Sequence, residues 1–221
     1  MLENYYSNHY EEVCNKGLVG IASRFVHWSL ENFPYTSQSH LREEGHILEI
    51  GAGHGQHLPF VKSGYKSYLQ SDLRPENLRD QSTKYPNSRV EDKSVDAENL
   101  PYENAKFDRV IVTCVLIHLN DPEKALMEWK RVCRPGGRIT IYIPCETGFL
   151  LRTSQMLTTR RKQSKLGYEA DYLHYREHRY SYLYLKTLLK HYGEPHVRIR
   201  KFPLVFGTWN VNLWSVCEIT V

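Results

Sequence analysis

Three glycines at alternate positions follow a short apolar run, and this pattern favours the close approach of a ligand to the main chain. The apolar run Ile47–Ile50 lies within a predicted strand, and the glycines at 51, 53 and 55 follow it. Glycine adopts conformations that other residues avoid and has no side chain to block a ligand. A tight turn between a strand and a helix is the alternative. A dinucleotide fingerprint would need glycine where Gln56 stands, and no Gly-Lys-Ser/Thr phosphate loop is present.

Histidines supply the groups that could exchange a proton with a substrate near neutral pH. His118 ends an apolar run after a predicted strand, where it is either a general base or a packed or capping residue. His174 and His178 are four residues apart and would share one face of a helix, where they either line an acceptor pocket or face solvent. All three are candidate catalytic residues. No third ligand accompanies the pair, so we predict no metal site.

The elements that must position these residues alternate between strands and helices. Seven strands are predicted, at 46–50, 66–71, 88–93, 107–113, 138–143, 197–202 and 213–220. Helices are predicted at 4–33, 55–63, 75–83, 122–133 and 180–192. This alternation is typical of a mostly parallel α/β sheet, and the last two strands, with no helix between them, predict an antiparallel hairpin at one edge. Ligands of such sheets bind at the carboxyl ends of the strands, where the glycine loop and His118 both lie.

Length and composition are those of a single soluble domain spanning 1–221. The chain is 41% hydrophobic and 24% charged, and its formal charge of +4 does not indicate a nucleic-acid partner. The five cysteines are odd in number and form no Cys-x-x-Cys pair, which predicts neither disulfides nor a zinc site. No apolar run is long enough to span a membrane and no signal peptide is evident, so we predict a cytoplasmic protein.

Four segments follow the glycine loop in a fixed order, and the set resembles the class I S-adenosylmethionine-dependent methyltransferases. The loop reads Glu-x-Gly-x-Gly-x-Gly from Glu49, and the next strand ends in Asp72 about twenty residues past the first glycine. Asp-Ala-Glu-x-Leu-Pro-Tyr then begins at Asp96, and Phe-Asp-x-Val begins at Phe107. A helix of the form Leu-x-Glu-x-x-Arg-Val ends before Pro-Gly-Gly at 135–137.

The resemblance implies a Rossmann-like seven-stranded sheet of order 3-2-1-4-5-7-6, with strand 7 antiparallel and helices flanking it. It also implies S-adenosylmethionine as the cofactor. The glycines would admit its amino-acid part, Asp72 would bind the ribose hydroxyls, and Asp96 with the main chain of Ala97 would meet the adenine. A helix cap is the alternative for Asp72. The cofactor-binding residues predicted in this way are Glu49, Gly51, Ala52, Gly53, Gly55, Asp72, Leu73, Asp96, Ala97, Thr113 and Cys114.

Residues 145–180 interrupt the alternation and are predicted to be an insertion after strand 5 that forms part of an acceptor pocket. The segment is basic, and guanidinium groups bind carboxylate and phosphate well, so it either contacts an anionic sugar or metabolite or is a plain solvated loop. Residues 1–40 are predicted to be a helical lid, with surface packing as the alternative. The predicted acceptor-binding residues are Tyr6, Tyr10, Arg152, Tyr175 and Tyr180.

The predicted function is methyl transfer to an oxygen or nitrogen of a small molecule, by a monomer or homodimer. C-methylation of a quinone or lipid precursor is an alternative that would favour a more apolar insertion. A non-catalytic binding protein is a second alternative, which loss of the glycines or of Asp72 would support, and neither is lost. The modest charge and the absence of an appended domain count against nucleic acid as the acceptor.

Overall fold

A seven-stranded sheet with helices on both faces forms the frame of the chain. The computed structural model describes residues 16–32, 45–62, 64–74 and 90–221, together with Tyr5, His9, Val13 and Leu78. The strands are β1 Gly45–Ile50, β2 Tyr65–Asp72, β3 Val90–Ser94, β4 Phe107–Val112, β5 Cys133–Pro144, β6 Val197–Phe202 and β7 Trp214–Thr220. The helices are α1 Gly17–Asn32, α2 Pro122–Val132, α3 Phe149–Leu157, α4 Thr159–Lys165, α5 Ala170–Glu177 and α6 Tyr182–Gly193.

The strand order is β3-β2-β1-β4-β5-β7-β6, which confirms the predicted topology. The pairs from β3 to β5 are parallel, and β7 is antiparallel to both β5 and β6. Ile50 pairs with Val112, and Val112 pairs with Ile141 near the end of β5. The residues that follow β1, β4 and β5 therefore emerge at one edge of the sheet.

The two faces of the sheet bury different helices because successive side chains of a strand point to opposite faces. Leu48 and Ile50 join the large core that includes α2 and α6. Ile47 instead contacts the opposite layer. On that second face Leu30 of α1 packs with Trp214 of β7.

Helix α1 is attached to the sheet by a buried ionic cluster. The Glu31 carboxylate lies 2.7 Å from Nη2 of Arg109 on β4 and 3.1 Å from Nε2 of His57. Nδ1 of His27, one turn earlier on the helix, lies 3.3 Å from Nδ1 of the same His57. Buried charges of this kind are stable only when they are paired. The ion pairs of Glu31 therefore favour the observed position of α1 on the sheet.

Helix α2 holds the turn that begins at Asp96 in place through contacts with its side chains. Asp121 caps its first turn, and Pro122 supplies a first helical position that needs no N–H. The buried stripe includes Trp129, whose indole nitrogen donates to the carbonyl of Ala97 at 3.1 Å. Glu128 accepts from the main-chain N–H of Leu100 at 3.0 Å. The helix thereby fixes the turn that begins at Asp96.

Two predicted elements differ from the structure. The helix predicted over 55–63 is wrong, because only Leu58–Phe60 forms a short 3₁₀ helix. Pro59 falls inside this segment and offers no main-chain N–H to a longer helix. Strand β5 begins at Cys133, five residues before the predicted start, and its pairing with β4 shifts between Phe107 and Arg109.

Some predictions fall where the chain is not described. The predicted helix over 75–83 lies outside the described residues except at Leu78, and the part of the 4–33 helix before α1 does so except at Tyr5, His9, Val13 and Lys16. None of the helices in the described ranges is long and apolar enough to cross a membrane.

Candidate active site

The glycine loop bends back over the end of β2. Gly51, Gly53 and Gly55 have φ angles of +74°, +52° and +71°, in the left-handed region that favours glycine. The N–H groups of Gly51 and Ala52 donate to the carbonyl of Ser71 at 2.9 and 3.0 Å. The local signal in the sequence therefore corresponds to a real left-handed turn at the end of β1.

Asp72 lies directly beside this loop. Its Oδ2 accepts a hydrogen bond from the N–H of Gly53 at 3.1 Å, and its Oδ1 accepts from the N–H of Arg74 at 2.9 Å. The carboxylate is partly exposed, and the neighbouring Leu73 side chain is exposed. The second strand thus brings an acid and an apolar side chain to the mouth of the loop.

The turn at Asp96 offers a free main-chain donor next to Asp72. The N–H of Val95 donates to the carbonyl of Asp72 at 3.0 Å, which places the turn beside the second strand. Asp96 accepts from Glu98 through its side chain and from Asn99 through its carbonyl. The N–H of the buried Ala97 makes no hydrogen bond to any described residue, so it is available to a ligand.

Glu49 is placed differently from the other predicted cofactor residues. Its carboxylate is fully buried in the sheet, where Oε2 accepts from the Tyr68 hydroxyl at 2.8 Å and from Gln70 at 3.4 Å. Burial raises the pKa of Glu49 above its usual value. The side chain therefore braces β1 against β2, and its role in cofactor binding stays a prediction.

Thr113 and Cys114 complete the loop from the side of β4. The Thr113 hydroxyl donates to the carbonyl of Gly51 at 2.6 Å. Cys114 is exposed and has a φ of +54°, a conformation uncommon outside glycine. Both residues therefore stand at the point where β1 and β4 end together.

A second group of polar side chains gathers where β4 and β5 end, and we call His118, Glu146, His174 and His178 the histidine cluster. Glu146 is buried, with Oε1 3.0 Å from Nδ1 of His178 and Oε2 3.3 Å from Nε2 of His174. Gln155 donates to the same Oε1 at 2.9 Å. The His118 ring centroid lies 5.0 Å from that of His178. The fold thus brings together the three histidines predicted from sequence.

Charge in the cluster is fixed by burial and hydrogen bonding. Burial alone would raise the pKa of Glu146, but the hydrogen bonds from His174 and His178 outweigh it and hold that pKa well below its usual range. Burial, reinforced by the charge of His178, lowers the pKa of His118 to about 3. Nδ1 of His118 lies 2.9 Å from the carbonyl of Glu177, which assigns the proton to Nδ1 and a lone pair to Nε2.

Glu146 is the member of the histidine cluster that sequence reasoning missed. It lies 28 residues before His174, and no local pattern connects the two. The available signal was its position two residues past the end of strand β5, because the carboxyl ends of neighbouring strands share one edge.

The predicted acceptor-binding residues do not form one group in the structure. Tyr6 and Tyr10 lie outside the described residues. The Tyr180 hydroxyl donates to the carbonyl of Asn120 at 2.8 Å and so ties the end of the insertion to the loop after β4. Arg152 lines a groove of about 610 Å³ among α3 to α5, none of whose lining residues belongs to the histidine cluster.

Tyr175 on α5 contacts both Arg160, which lines the groove, and His174 of the histidine cluster. Its ring faces the guanidinium of Arg160 at 5.6 Å and contacts the ring of His174. Arg160 also pairs with Asp171, so this arginine of the insertion is engaged within it.

N-terminal residues contact the insertion. Tyr5 and Val13 are buried in a small core with Leu173 of α5. The Tyr5 hydroxyl accepts from Nε2 of Gln163 at 2.9 Å, and its ring meets Tyr168 edge to face. The predicted lid and the predicted insertion are therefore in contact at these described residues.

Comparison with known proteins agrees with this geometry. The profile of a methyltransferase domain family matches residues 48–141, which run from β1 into β5 and include the glycine loop, Asp72 and the Asp96 turn. Residues 48–141 are therefore similar to a methyltransferase domain. This similarity implies S-adenosylmethionine as the cofactor, and the N–H of Ala97, which bonds no described residue, suits its adenosine part.

Individual relatives are distant. Methyltransferase GfsG of Streptomyces halstedii is 31% identical over 106 residues, which cover 44% of this chain and 37% of that enzyme. The phosphatidylethanolamine N-methyltransferase of Cereibacter sphaeroides is 25% identical over 171 residues, covering 70% of this chain and 83% of that one. A solved Thermotoga maritima S-adenosylmethionine-dependent methyltransferase shares the fold, with a TM-score of 0.61, 20% identity, and coverage of 100% of this chain and 99% of its own.

Proposed function

We propose that this protein is a methyltransferase, and that it transfers the methyl group of S-adenosylmethionine to an oxygen or nitrogen of a small molecule bound between the glycine loop and helices α3 to α5. The observation that carries the proposal is the histidine cluster at the carboxyl edge of the sheet. His118 follows the same strand end as Thr113, which bonds the glycine loop. A proton-handling group thus stands near the predicted cofactor site.

The cofactor supplies an electrophilic methyl group when it is bound. The glycine loop would admit its amino-acid part, while Asp72 and the N–H of Ala97 would orient its adenosine part. A hydroxyl or ammonium acceptor must lose a proton before or during attack on the methyl carbon. The histidine cluster holds the acceptor and handles that proton, and the helices above it exclude water. Holding the two reactants close and aligned provides much of the remaining rate.

An anionic acceptor is supported by the basic side chains of the insertion, of which Arg152 and Arg161 line the groove together with the acids Glu169 and Asp171. A nitrogen acceptor is supported by the Cereibacter relative, whose name states N-methylation of phosphatidylethanolamine. The acceptor class that we propose is therefore a small anionic molecule that carries an amine or a hydroxyl.

Cofactor binding is tested by calorimetric titration with S-adenosylmethionine and S-adenosylhomocysteine. Asp72→Asn should weaken both by about tenfold or more, since a hydrogen bond to a charged group contributes roughly 1.5–3 kcal/mol. Glu103→Gln, an exposed acid outside the site, is the matched control and should bind as the wild type does. A folded protein that binds neither compound would overturn the proposal.

Acceptor chemistry is tested with a panel of anionic amines and alcohols and radiolabelled S-adenosylmethionine. His178→Asn should keep cofactor affinity and lose methyl transfer. Full transfer by this variant would remove the histidine cluster from the mechanism.

A further inference from the structure

We propose that Glu146, His174 and His178 bind one divalent transition-metal ion of the zinc class. His178 Nδ1 and His174 Nε2 lie 3.0 and 3.3 Å from the two oxygens of Glu146, and the three ligand atoms lie within 4.8 Å of one another. Ligands at 2.0–2.2 Å from one tetrahedral zinc ion are about 3.3–3.6 Å apart. Two imidazoles and one carboxylate are the donor set of open zinc sites in enzymes.

The three ligands are held in place by the fold. The N–H of Glu146 donates to the carbonyl of Pro144 at 2.9 Å, and its carbonyl accepts from the N–H of Tyr182 at 2.6 Å. The N–H of His178 donates to the carbonyl of His174 at 2.9 Å at the end of α5. A carboxylate fixed to a strand end and two histidines one helical turn apart need little movement to surround an ion.

The groups around the three ligands are also arranged as they are around the metal ions of known sites. Gln155 donates to Oε1 of Glu146, as hydrogen-bonded partners of ligating carboxylates do. Side-chain exposure is 4% for Glu146, 9% for His174 and 21% for His178, so the cluster is sheltered yet open at one side. That open side leaves a coordination position for a further ligand.

The rival interpretation is a carboxylate that holds two histidines by hydrogen bonds alone. In that case each nitrogen facing Glu146 carries a proton, and no ion competes for it. The two interpretations differ in one observable, which is stoichiometric metal binding that depends on all three side chains.

The open position would bind an oxygen of the acceptor, because zinc-class ions coordinate and acidify hydroxyl groups. This part of the inference rests on the proposed function and narrows the acceptor to molecules with a hydroxyl or carboxylate oxygen. The metal site itself does not depend on it.

Chelator-treated protein titrated with Co²⁺ gives the direct test. We expect one equivalent to bind with the visible absorption of a four-coordinate nitrogen and oxygen site, and Zn²⁺ to displace it. Glu146→Gln and His174→Gln should each weaken Co²⁺ binding by more than about 100-fold, since loss of an outer partner alone costs 10–100-fold. His191→Gln, an exposed histidine on α6, should bind Co²⁺ as the wild type does.

Absence of Co²⁺ absorption, or binding that Glu146→Gln leaves unchanged, would overturn the metal site. S-adenosylmethionine affinity of the same variants shows whether they are folded and keeps the two proposals apart. Cofactor binding without Co²⁺ binding removes the metal site alone. Co²⁺ binding without cofactor binding removes the proposed methyl transfer and leaves the metal site in place.

Discussion

At the scale of single residues, Gly51 has less room for a side chain than Gly53, its neighbour in the glycine loop. A Cβ there would lie 2.1 Å from Cγ2 of Val115 and 2.8 Å from the carbonyl of Thr113. Its φ of +74° adds backbone strain for any other residue. Gly167 has a similar φ of +82° but nothing within 4 Å of its Cβ position. Comparing substitutions at Gly51 and Gly167 therefore separates the effect of steric crowding from the effect of backbone strain.

We expect Gly51→Ala to weaken S-adenosylmethionine binding by about tenfold or more, because the methyl group must displace Val115 or the carbonyl of Thr113. Gly167→Ala should keep wild-type affinity and lose about 1–2 kcal/mol of unfolding free energy from the left-handed conformation alone. Calorimetry and thermal melting measure the two effects. Equal cofactor affinity in both variants would contradict the importance of crowding at Gly51.

Residues of the site differ in how far sequence could predict them. Gly51 and Asp72 were found because each ends a strand and forms part of a short pattern. The histidines at 174 and 178 were found as a pair because helical spacing is local. Glu146 was missed because its partners lie on another element, and only the folded chain brings them within hydrogen-bond distance.

At the scale of elements, the ionic cluster beneath α1 connects this helix to acid stability. Burial alone would raise the pKa of Glu31, but the charge of Arg109 and the contacts with His57 lower it to about 2. Burial, with the charge of His57, lowers the pKa of His27 to about 3. Both shifts mean that the folded chain resists protonation at α1.

The expected pH dependence follows from these two directions. His27 contributes stability above pH 6.5 that is lost as the pH falls towards 3, because the unfolded chain binds the proton more readily. Glu31 contributes stability above pH 4.5 that is lost towards pH 2. We therefore expect the Tm to fall steadily below pH 6.5.

The His27→Phe variant tests this assignment, since it keeps an aromatic ring stacked near Phe60 and removes the titrating group. The slope of Tm against pH between 6.5 and 4.5 should become smaller in His27→Phe and stay unchanged in His191→Gln. An unchanged slope in His27→Phe would assign the acid sensitivity to other groups.

Observed helices and strands agree with the predicted ones where the sequence pattern is periodic. They differ where a proline or glycine changes the local main chain. β6 was predicted at its observed limits, and α2 within one residue, because alternation and capping are local. The 55–63 helix failed at Pro59. The early start of β5 was missed because Pro135-Gly136-Gly137 favours a turn. Cys133 instead pairs with Phe107 of β4, and Gly136 and Gly137 exchange main-chain hydrogen bonds with Val221.

At the scale of the whole molecule, Tyr5 and Val13 near the start of the chain are joined to the insertion that follows β5. Tyr5 is 4% exposed and packs with Leu173, while Gln163 donates to its hydroxyl. Segments 158 residues apart in sequence therefore share one small core. This core therefore connects Tyr5 to helix α5, which carries His174.

We expect Tyr5→Ala to speed amide hydrogen exchange in helices α4 and α5 by about tenfold or more, since truncating a buried aromatic side chain costs several kcal/mol. Cofactor affinity should stay unchanged, because the glycine loop has no part in this core. Tyr172→Ala, on the exposed side of α5, is the control. Equal exchange in the two variants would show that the N-terminal contact does not stabilise the insertion.

Cys114 places a thiol that can react with an alkylating reagent at the end of β4. Its thiol is exposed next to the residue that bonds the glycine loop, whereas burial raises the pKa of the Cys133 and Cys145 thiols to about 12. In a Cys14→Ser background, an alkylating dye should label Cys114 first, and S-adenosylmethionine should slow that labelling. The rate of thiol labelling would then read out cofactor occupancy in a plate assay, before any acceptor is known.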